Sequence, residues 1–438
     1  MLPVEAALPE LFAALEKGRS AVLVAPPGAG KTTLVPLRLL DARWTRGGRI
    51  LVVEPRRLAA RAAARRMAGT LGEEPGATIG YRVRNETRVS ASTRIELVTA
   101  GVFVRMILDD PGLEGVGAIL FDEVHERSVD ADLGLALALD AQAALRDDLR
   151  LVAMSATVDG ARFAAILGGA PVVESAGRMF PVETVHLGAD AAMRVEDRVA
   201  AAVRRALRER SGSILAFLPG QAEIMRTAER LSALPPGVVL APLYGALDPR
   251  SQDAAVRPAA AGTRKVVLAT AIAETSLTIE GVTVVVDSGF ARRPRYDPGS
   301  GMSRLETVRV SRAAADQRRG RAGRTAPGTC YRLWDEPQTA ALPPFDRPEI
   351  LETDLAPLAL ALLAWGTSDP SALRWLDPPP PAAFAEALAL LGRLGARDPA
   401  GGLSRHGRRM ADLPLPPRLA HMVLEGAARG AGELAADI

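Results

Sequence analysis

At 438 residues the chain exceeds the size at which a single hydrophobic core is usual, so two or three domains are expected. The one cysteine, Cys330, excludes an internal disulfide and any cysteine-rich zinc site, which fits a reducing compartment, with the cytoplasm the expected location. The net charge of +3 is the small difference of 54 basic and 51 acidic residues, so charge alone does not select a nucleic-acid partner; no apolar run approaches the ~20 residues that span a bilayer, and no membrane partner is expected.

From the N-terminus, LPELFAALEKGRS (8–20) reads as a short amphipathic helix. Short apolar, β-branched runs then alternate with helical patterns: AVLVA 21–25, ILVVE 50–54, RIELVT 94–99, AILFD 118–122 and LRLVAMSA 149–156. A second series follows at SILAFL 213–218, GVVLAPL 237–243, RKVVLAT 264–270, VTVVVDS 282–288 and GTCYRLW 328–334. Strands alternating with helices predict parallel sheets with right-handed crossovers, hence an α/β chain of two similar domains joined near residues 170–185. Between the last two runs, residues 287–311 alternate around a Pro-Gly-Ser-Gly turn, which predicts a hairpin. Past about residue 345 the pattern turns to leucine- and alanine-rich helices, with DPPPPAAF 377–384 as a proline-stiffened connection.

Three stretches carry chemistry. The loop APPGAGKTT (25–33) follows the first strand and precedes a helix, the context a phosphate-binding loop requires, although Ala25 stands where the G-x-x-x-x-G-K-[ST] pattern begins with glycine. Pro27, Gly28, Ala29, Gly30, Lys31, Thr32 and Thr33 would cradle the phosphates of ATP, Lys31 reaching the β and γ oxygens and Thr32 ligating Mg²⁺. Only three lysines occur in this arginine-rich chain, and Lys31 is one of them. A compact ammonium and a planar guanidinium fit different sites, so its persistence hints at a need for lysine. Asp122 and Glu123 end a buried strand side by side, where two negative charges require a cation; Mg²⁺ carried in with the nucleotide supplies it, Asp122 as its partner and Glu123 orienting and deprotonating the attacking water. In QRRGRAGR (317–324), Gln317 can align that water while Arg321 and Arg324 reach the γ-phosphate from the second domain; by itself the segment fits a solvated basic helix equally well.

Taken in order, the phosphate loop, DEVHER 122–127, AMSAT 153–157, FLPGQAEI 217–224, ATAIAETSLTIEGV 269–282 and QRRGRAGR 317–324 make the chain resemble the DEAH/RHA group of superfamily 2 ATP-dependent RNA helicases, most closely its bacterial HrpB-type branch. EPRRLAARAAARRMA 54–68, GYRVRNE 80–86, TAGVFVR 99–105 and GRMFPVE 177–183 extend the likeness. The resemblance implies a RecA-like domain over 1–170, a second over 171–345, a mainly helical winged-helix-like region over 346–415 and the start of a ratchet bundle over 416–438. The family continues further, so a fragment is expected. It also implies RNA contacts at Arg56, Arg57, Thr99, Gly101, Arg105 and the ETSLTIEG segment, a nucleotide contact at Thr278, and coupling roles for His125, Ser155 and Thr157. Magnesium is assigned to Thr32, Asp122 and Glu123, and the hairpin to a strand-separating wedge.

His186, His406 and His421 read as structural. Val124, Ala271 and Glu280 depart from the alanine, asparagine and aspartate usual in the family. The function implied is translocation on single-stranded RNA and unwinding of duplexes with an overhang, 3′ to 5′, driven by ATP and Mg²⁺. The rivals are a DNA track and an RNA clamp that does not unwind processively; the sequence names no protein partner.

Overall fold

A computed structural model describes residues 2–45, 47–156, 159–177, 180–190, 192–274, 279–297 and 299–438. Eight strands form the first sheet: β1 (Ser20–Val24), β2 (Arg49–Glu54), β3 (Ile79–Val83), β4 (Glu86–Arg88), β5 (Ile95–Thr99), β6 (Val116–Phe121), β7 (Arg150–Ser155) and β8 (Val172–Glu174). Their order is β4-β3-β5-β2-β6-β7-β1-β8, parallel except for the β3/β4 pair. Every residue of β6 is buried. A strand covered on both faces reads as a continuous apolar run, which is why β6 announces itself in the sequence.

The second sheet runs β11-β12-β10-β13-β16-β9 and is parallel throughout, built from β9 (Val182–His186), β10 (Ser213–Phe217), β11 (Val238–Leu243), β12 (Arg264–Ala269), β13 (Val282–Asp287) and β16 (Gly328–Arg332). Between β13 and β16 the chain makes an antiparallel hairpin, β14 (Phe290–Asp297) against β15 (Met302–Arg309), as its turn residues predict. The apolar runs of both series are all strands of these two RecA-like sheets. Four further strands escape that pattern: β4 and β8 have only three residues, β9 is a half-buried edge strand, and β3 interrupts its apolar residues with glycine and arginine.

The C-terminal region is helical, with helices Ala356–Trp365, Pro381–Arg393, Arg405–Ala411, Pro417–Ala428 and Gly432–Asp437 and one antiparallel bridge between Arg397 and Leu403. APLALALLAW is apolar all round, so it must be enclosed. It is enclosed by the first domain: one core joins Phe103, Phe121 and Leu137 of that domain to Leu358, Leu362, Phe384, Leu391 and Met410. Trp365 Nε1 donates to Asp140 at 2.8 Å across the same boundary.

Phe103 and Phe121 meet edge to face within this shared core, with ring centroids 5.4 Å apart. Phe103→Ala is expected to destabilise the first domain by about 3–5 kcal/mol, through lost burial and the cavity left behind. A lowered urea midpoint for that domain checks it.

Candidate active site

In the first sheet β7 lies between β1 and β6, so the loops that leave β1 and β6 emerge at the same carboxyl edge with one strand between them. The loop after β1 turns through Gly28 and Gly30, both left-handed (φ 86° and 97°), where a side chain would be strained. Gly30 then caps the helix Lys31–Leu39. This geometry brings Lys31 to Glu123, Nζ to Oε1 2.9 Å, with both side chains almost wholly buried. One residue on, the Thr32 hydroxyl donates to the Asp122 carboxylate, whose Oδ1 accepts the Glu123 backbone N–H at 2.8 Å.

Glu123 itself adopts a left-handed backbone (φ 49°), unusual for a residue with a long side chain. Such strain, of order 1–3 kcal/mol, persists only where surrounding contacts fix it. Here the Lys31 pair and the Asp122 bond do so. The electrostatics separate the two acids. Burial raises both, but Lys31 and His125 more than offset it at Glu123, which is held down at about 2, whereas burial with Glu123 alongside pushes Asp122 up to about 6. Glu54, fully buried at the end of β2, is raised well above the carboxylate range by burial and then by Asp122 and Glu123. Three carboxylates thus share one lysine. The oxygen donors of Thr32, Asp122 and Glu123 are the hard set that suits Mg²⁺, and the unmatched negative charge suits a divalent cation.

His125 follows on the same loop. Its Nδ1 accepts from the Ala156 N–H at 3.3 Å and lies 3.5 Å from Ser155 Oγ, while Nε2 sits 3.5 Å from Glu123 Oε2. An accepting Nδ1 puts the proton of a neutral ring on Nε2, facing the carboxylate, and burial favours that neutral form. His125 and Ser155 therefore stand together, joining the end of β7 to Glu123. Thr157 and Thr278 lie outside the described residues.

A cavity of about 810 Å³ faces the loop. Pro27, Gly28, Gly30, Lys31, Thr32, Thr33 and Glu123 line it from the first domain, and Asp253, Arg257, Glu280 and Arg324 from the second. Ala29 instead packs into the core of the first domain. Arg321 is buried, its Nε donating to the Glu274 carbonyl at 2.8 Å. Burial and then Arg324 lower it well below the usual guanidinium value, and burial brings Arg324 down to about 10, with Glu123 opposing in both cases. Both arginines are thus within the electrostatic reach of Glu123. Gln317 is not placed beside Lys31: it lines a second cavity of about 470 Å³ with Arg56, His125 and Arg318. Arg318 is an anchor, fully buried, paired with Asp287 at 2.8 Å and lying 4.9 Å over the Phe217 ring.

The residues assigned to RNA divide. Arg57 and Gly101 are exposed and Thr99 is half-buried. Arg56 ties Glu126 (3.1 Å) to the Ala271 carbonyl of the second domain, and Arg105 pairs with Asp109 at 3.2 Å and Asp412 of the helical region at 3.5 Å.

Sequence reasoning missed three groups here. Glu54 ends β2 as Asp122 follows β6, a parallel that was legible. Arg61 and Arg65 reach Gln252 (3.0 Å) and Asp253 across the domain boundary, and no spacing signals that pairing. Arg127, left-handed at φ 55°, is clamped by Asp132 (2.9 Å) and by Asp377 of the proline connection (2.7 Å).

Comparison with known proteins agrees with this layout. Residues 6–165 match the DEAD/DEAH box helicase family and residues 198–326 the helicase conserved C-terminal domain. The chain is 51% identical over 424 residues to the ATP-dependent RNA helicase HrpB of Escherichia coli K12, covering 97% of this chain and 52% of the relative. Two solved structures are similar. One is the E. coli DEAH/RHA helicase HrpB, with TM-score 0.93, 49% identity and coverage of 100% of this chain and 56% of that one. The other is the E. coli DExH-box NTPase HrpB, with TM-score 0.86, 50% identity and coverage of 99% and 54%. The chain spans about half the length of the relatives it matches.

Removing the lysine while keeping its bulk, Lys31→Met, leaves Glu123 buried without its cation. The expected cost is about 3–5 kcal/mol, with loss of tight binding of a fluorescent ATP analogue. Thermal unfolding and a binding titration check the two effects separately.

Proposed function

Because the chain belongs to the DEAD/DEAH box helicases, we propose that it is an ATP-dependent RNA helicase, hydrolysing ATP in the cleft between its two sheets and moving on single-stranded RNA. The observation that carries this reading is the meeting, around one cavity, of Lys31, Thr32 and Glu123 from the first domain with Arg324 from the second. A site divided between two domains is complete only when they are together, so binding and hydrolysis of ATP are tied to domain movement.

The residues have distinct tasks. Lys31, through its compact ammonium, holds the β and γ phosphates against the helix N-terminus. Thr32 and Asp122 would hold Mg²⁺, which would supply positive charge to the phosphoryl oxygens. Glu123 is ionised at neutral pH, the form that accepts a proton from water, and His125 Nε2 faces its second oxygen. Arg321 and Arg324 supply positive charge from the opposite domain at the moment negative charge spreads over the phosphoryl oxygens. Gln317, beside His125 and Arg56 in the second cavity, fits a role in coupling the two domains better than one in aligning water.

On the track, Arg57 and Gly101 are the exposed members of the assigned set, and contacts of this kind grip phosphate and sugar without reading sequence. Aromatic residues are only 4% of the chain, which leaves few platforms on which bases could stack. Weak sequence preference follows. The hairpin projects Met302 and Leu305, about two-thirds exposed, and leans on the helical region through Arg418, which donates to the Tyr296 hydroxyl at 3.2 Å. That position suits a wedge against a duplex.

Steady-state ATP hydrolysis with and without single-stranded RNA tests the motor. Stimulation by RNA that falls by two or more orders of magnitude in Glu123→Gln is expected; hydrolysis indifferent to RNA would remove the RNA assignment, and equal stimulation by matched DNA would favour the DNA track. The direction is tested apart from this. Duplexes with a 3′ overhang should unwind faster than those with a 5′ overhang, and binding without unwinding of either would leave an ATP-dependent clamp.

A further inference from the structure

The geometry points to a second metal site, far from the nucleotide chemistry in kind: His406, His421 and Glu425 form a three-donor pocket for a borderline divalent transition ion of the Zn²⁺ class. His406 Nε2 lies 2.9 Å from His421 Nδ1, the rings are close to perpendicular (87°), and one donor atom from each of the three residues falls within 4.8 Å of the other two. All three side chains are half-buried. Among the described residues no other group of three or more histidine, cysteine or acidic donors meets this spacing.

The donors are set by the fold. His421 and Glu425 stand one turn apart on the helix Pro417–Ala428, which places them on one face. His406 comes from the helix Arg405–Ala411, whose start is fixed by the Ser404 hydroxyl accepting from the Gly407 N–H at 2.9 Å. The two helices are joined through a short segment carrying Pro414 and Pro416, and Met410 and Ala420 pack them into the shared core. The donors are therefore held by backbone that is already rigid, which lowers the entropy lost when an ion binds.

The donor chemistry selects the ion. Two imidazole nitrogens with a carboxylate suit zinc and its first-row neighbours, whereas Mg²⁺ and Ca²⁺ prefer oxygen alone. Zinc to nitrogen distances of about 2.0–2.1 Å in a tetrahedral site put two ligating nitrogens about 3.3 Å apart. The observed 2.9 Å needs to open by only a few tenths of an ångström. Each ring would carry its proton on the nitrogen not used. Glu425 also receives a long contact from Arg429 Nη2 at 3.4 Å to Oε2, which engages one carboxylate oxygen. Three protein donors leave a further coordination position, to be filled by water or another ligand. The alternative is a hydrogen-bonded histidine pair with no metal affinity; from sequence the two residues read only as structural.

The test uses the 438-residue chain in excess Mg²⁺, so that oxygen-donor sites are occupied, and titrates it with Co²⁺ as a spectroscopic probe and with Zn²⁺ against a chromophoric chelator. The expected result is one ion per chain, visible d–d absorption indicating nitrogen ligation in a four- or five-coordinate site, and a thermal midpoint raised by Zn²⁺. His406→Gln and His421→Gln should each weaken binding more than tenfold, and Glu425→Gln less, with the midpoint of the metal-free proteins little changed. A wild-type chain that takes up no stoichiometric Co²⁺ or Zn²⁺ overturns the proposal whatever the variants do, as does uptake that survives the double histidine variant. Neither result bears on ATP hydrolysis.

Discussion

Two adjacent carboxylates at the end of a strand buried on both faces are the constraint around which the first domain is arranged. Asp122 and Glu123 have little access to water, and Glu54 stands beside them at the end of β2. Without a cation such a group would protonate or force the strand end open. Lys31 meets the demand at 2.9 Å from Glu123, and the glycines at 28 and 30 exist in their left-handed conformations because the loop must deliver that lysine at the head of a helix. The residual negative charge makes the site hungry for a divalent cation, while the lysine keeps it intact. Stability and chemistry therefore draw on the same ion pair.

From this pair the structure spreads in two directions. His125 carries it to the end of β7, through Ala156 and Ser155. Arg127, two residues further on, carries it into the helical region, because its guanidinium is shared between Asp132 and Asp377 and its carbonyl accepts from the Glu349 N–H at 3.1 Å. The Glu349 carboxylate returns the contact by accepting from the Val129 N–H at 2.9 Å. The loop bearing the carboxylates is thus bolted to the C-terminal helices by paired charges as well as by the common core. The second domain is held to the first by a different kind of contact: Arg56, Arg61 and Arg65 cross to Ala271, Gln252 and Asp253 with polar bonds. Of the helix residues Arg57–Thr70, Leu58 enters the second domain's core and Ala62 packs against it. A boundary made chiefly of polar bonds parts and reforms at lower cost than the apolar one that holds the helices to the first domain.

How much of this was legible follows from the range of the interactions. Fully buried parallel strands and glycine turns are local, so β1, β6 and the loop at 25–33 could be read directly, and the chemistry of Lys31 with Asp122 and Glu123 follows from residue types. What could not be read is long-range and polar. Nothing near Arg127 indicates that its partner is Asp377, 250 positions away by subtraction of their numbers, nor that Arg105 turns toward Asp412. In an arginine-rich chain every guanidinium looks alike until the fold divides them into anchors such as Arg318, bridges such as Arg56 and cleft residues such as Arg324. The same limit explains Gln317. Gln317 stands on the helix Arg312–Gly320 and lines the cavity with His125, whereas Arg321 begins a separate short turn and donates to the Glu274 carbonyl.

That division has a mechanical meaning. The helix Arg312–Gly320 is fixed at its base by Arg318 buried against Asp287 and Phe217, with no exposed surface on its side chain. A helix anchored so firmly cannot adjust on its own; Gln317 on one side and Arg321 with Arg324 just beyond its end must move as one body with the second sheet. Gln317 on that helix borders the cavity it shares with His125 and Arg56. One buried arginine, which also borders the His125 cavity, thus fixes to the second sheet the helix that carries Gln317 and leads into Arg321 and Arg324.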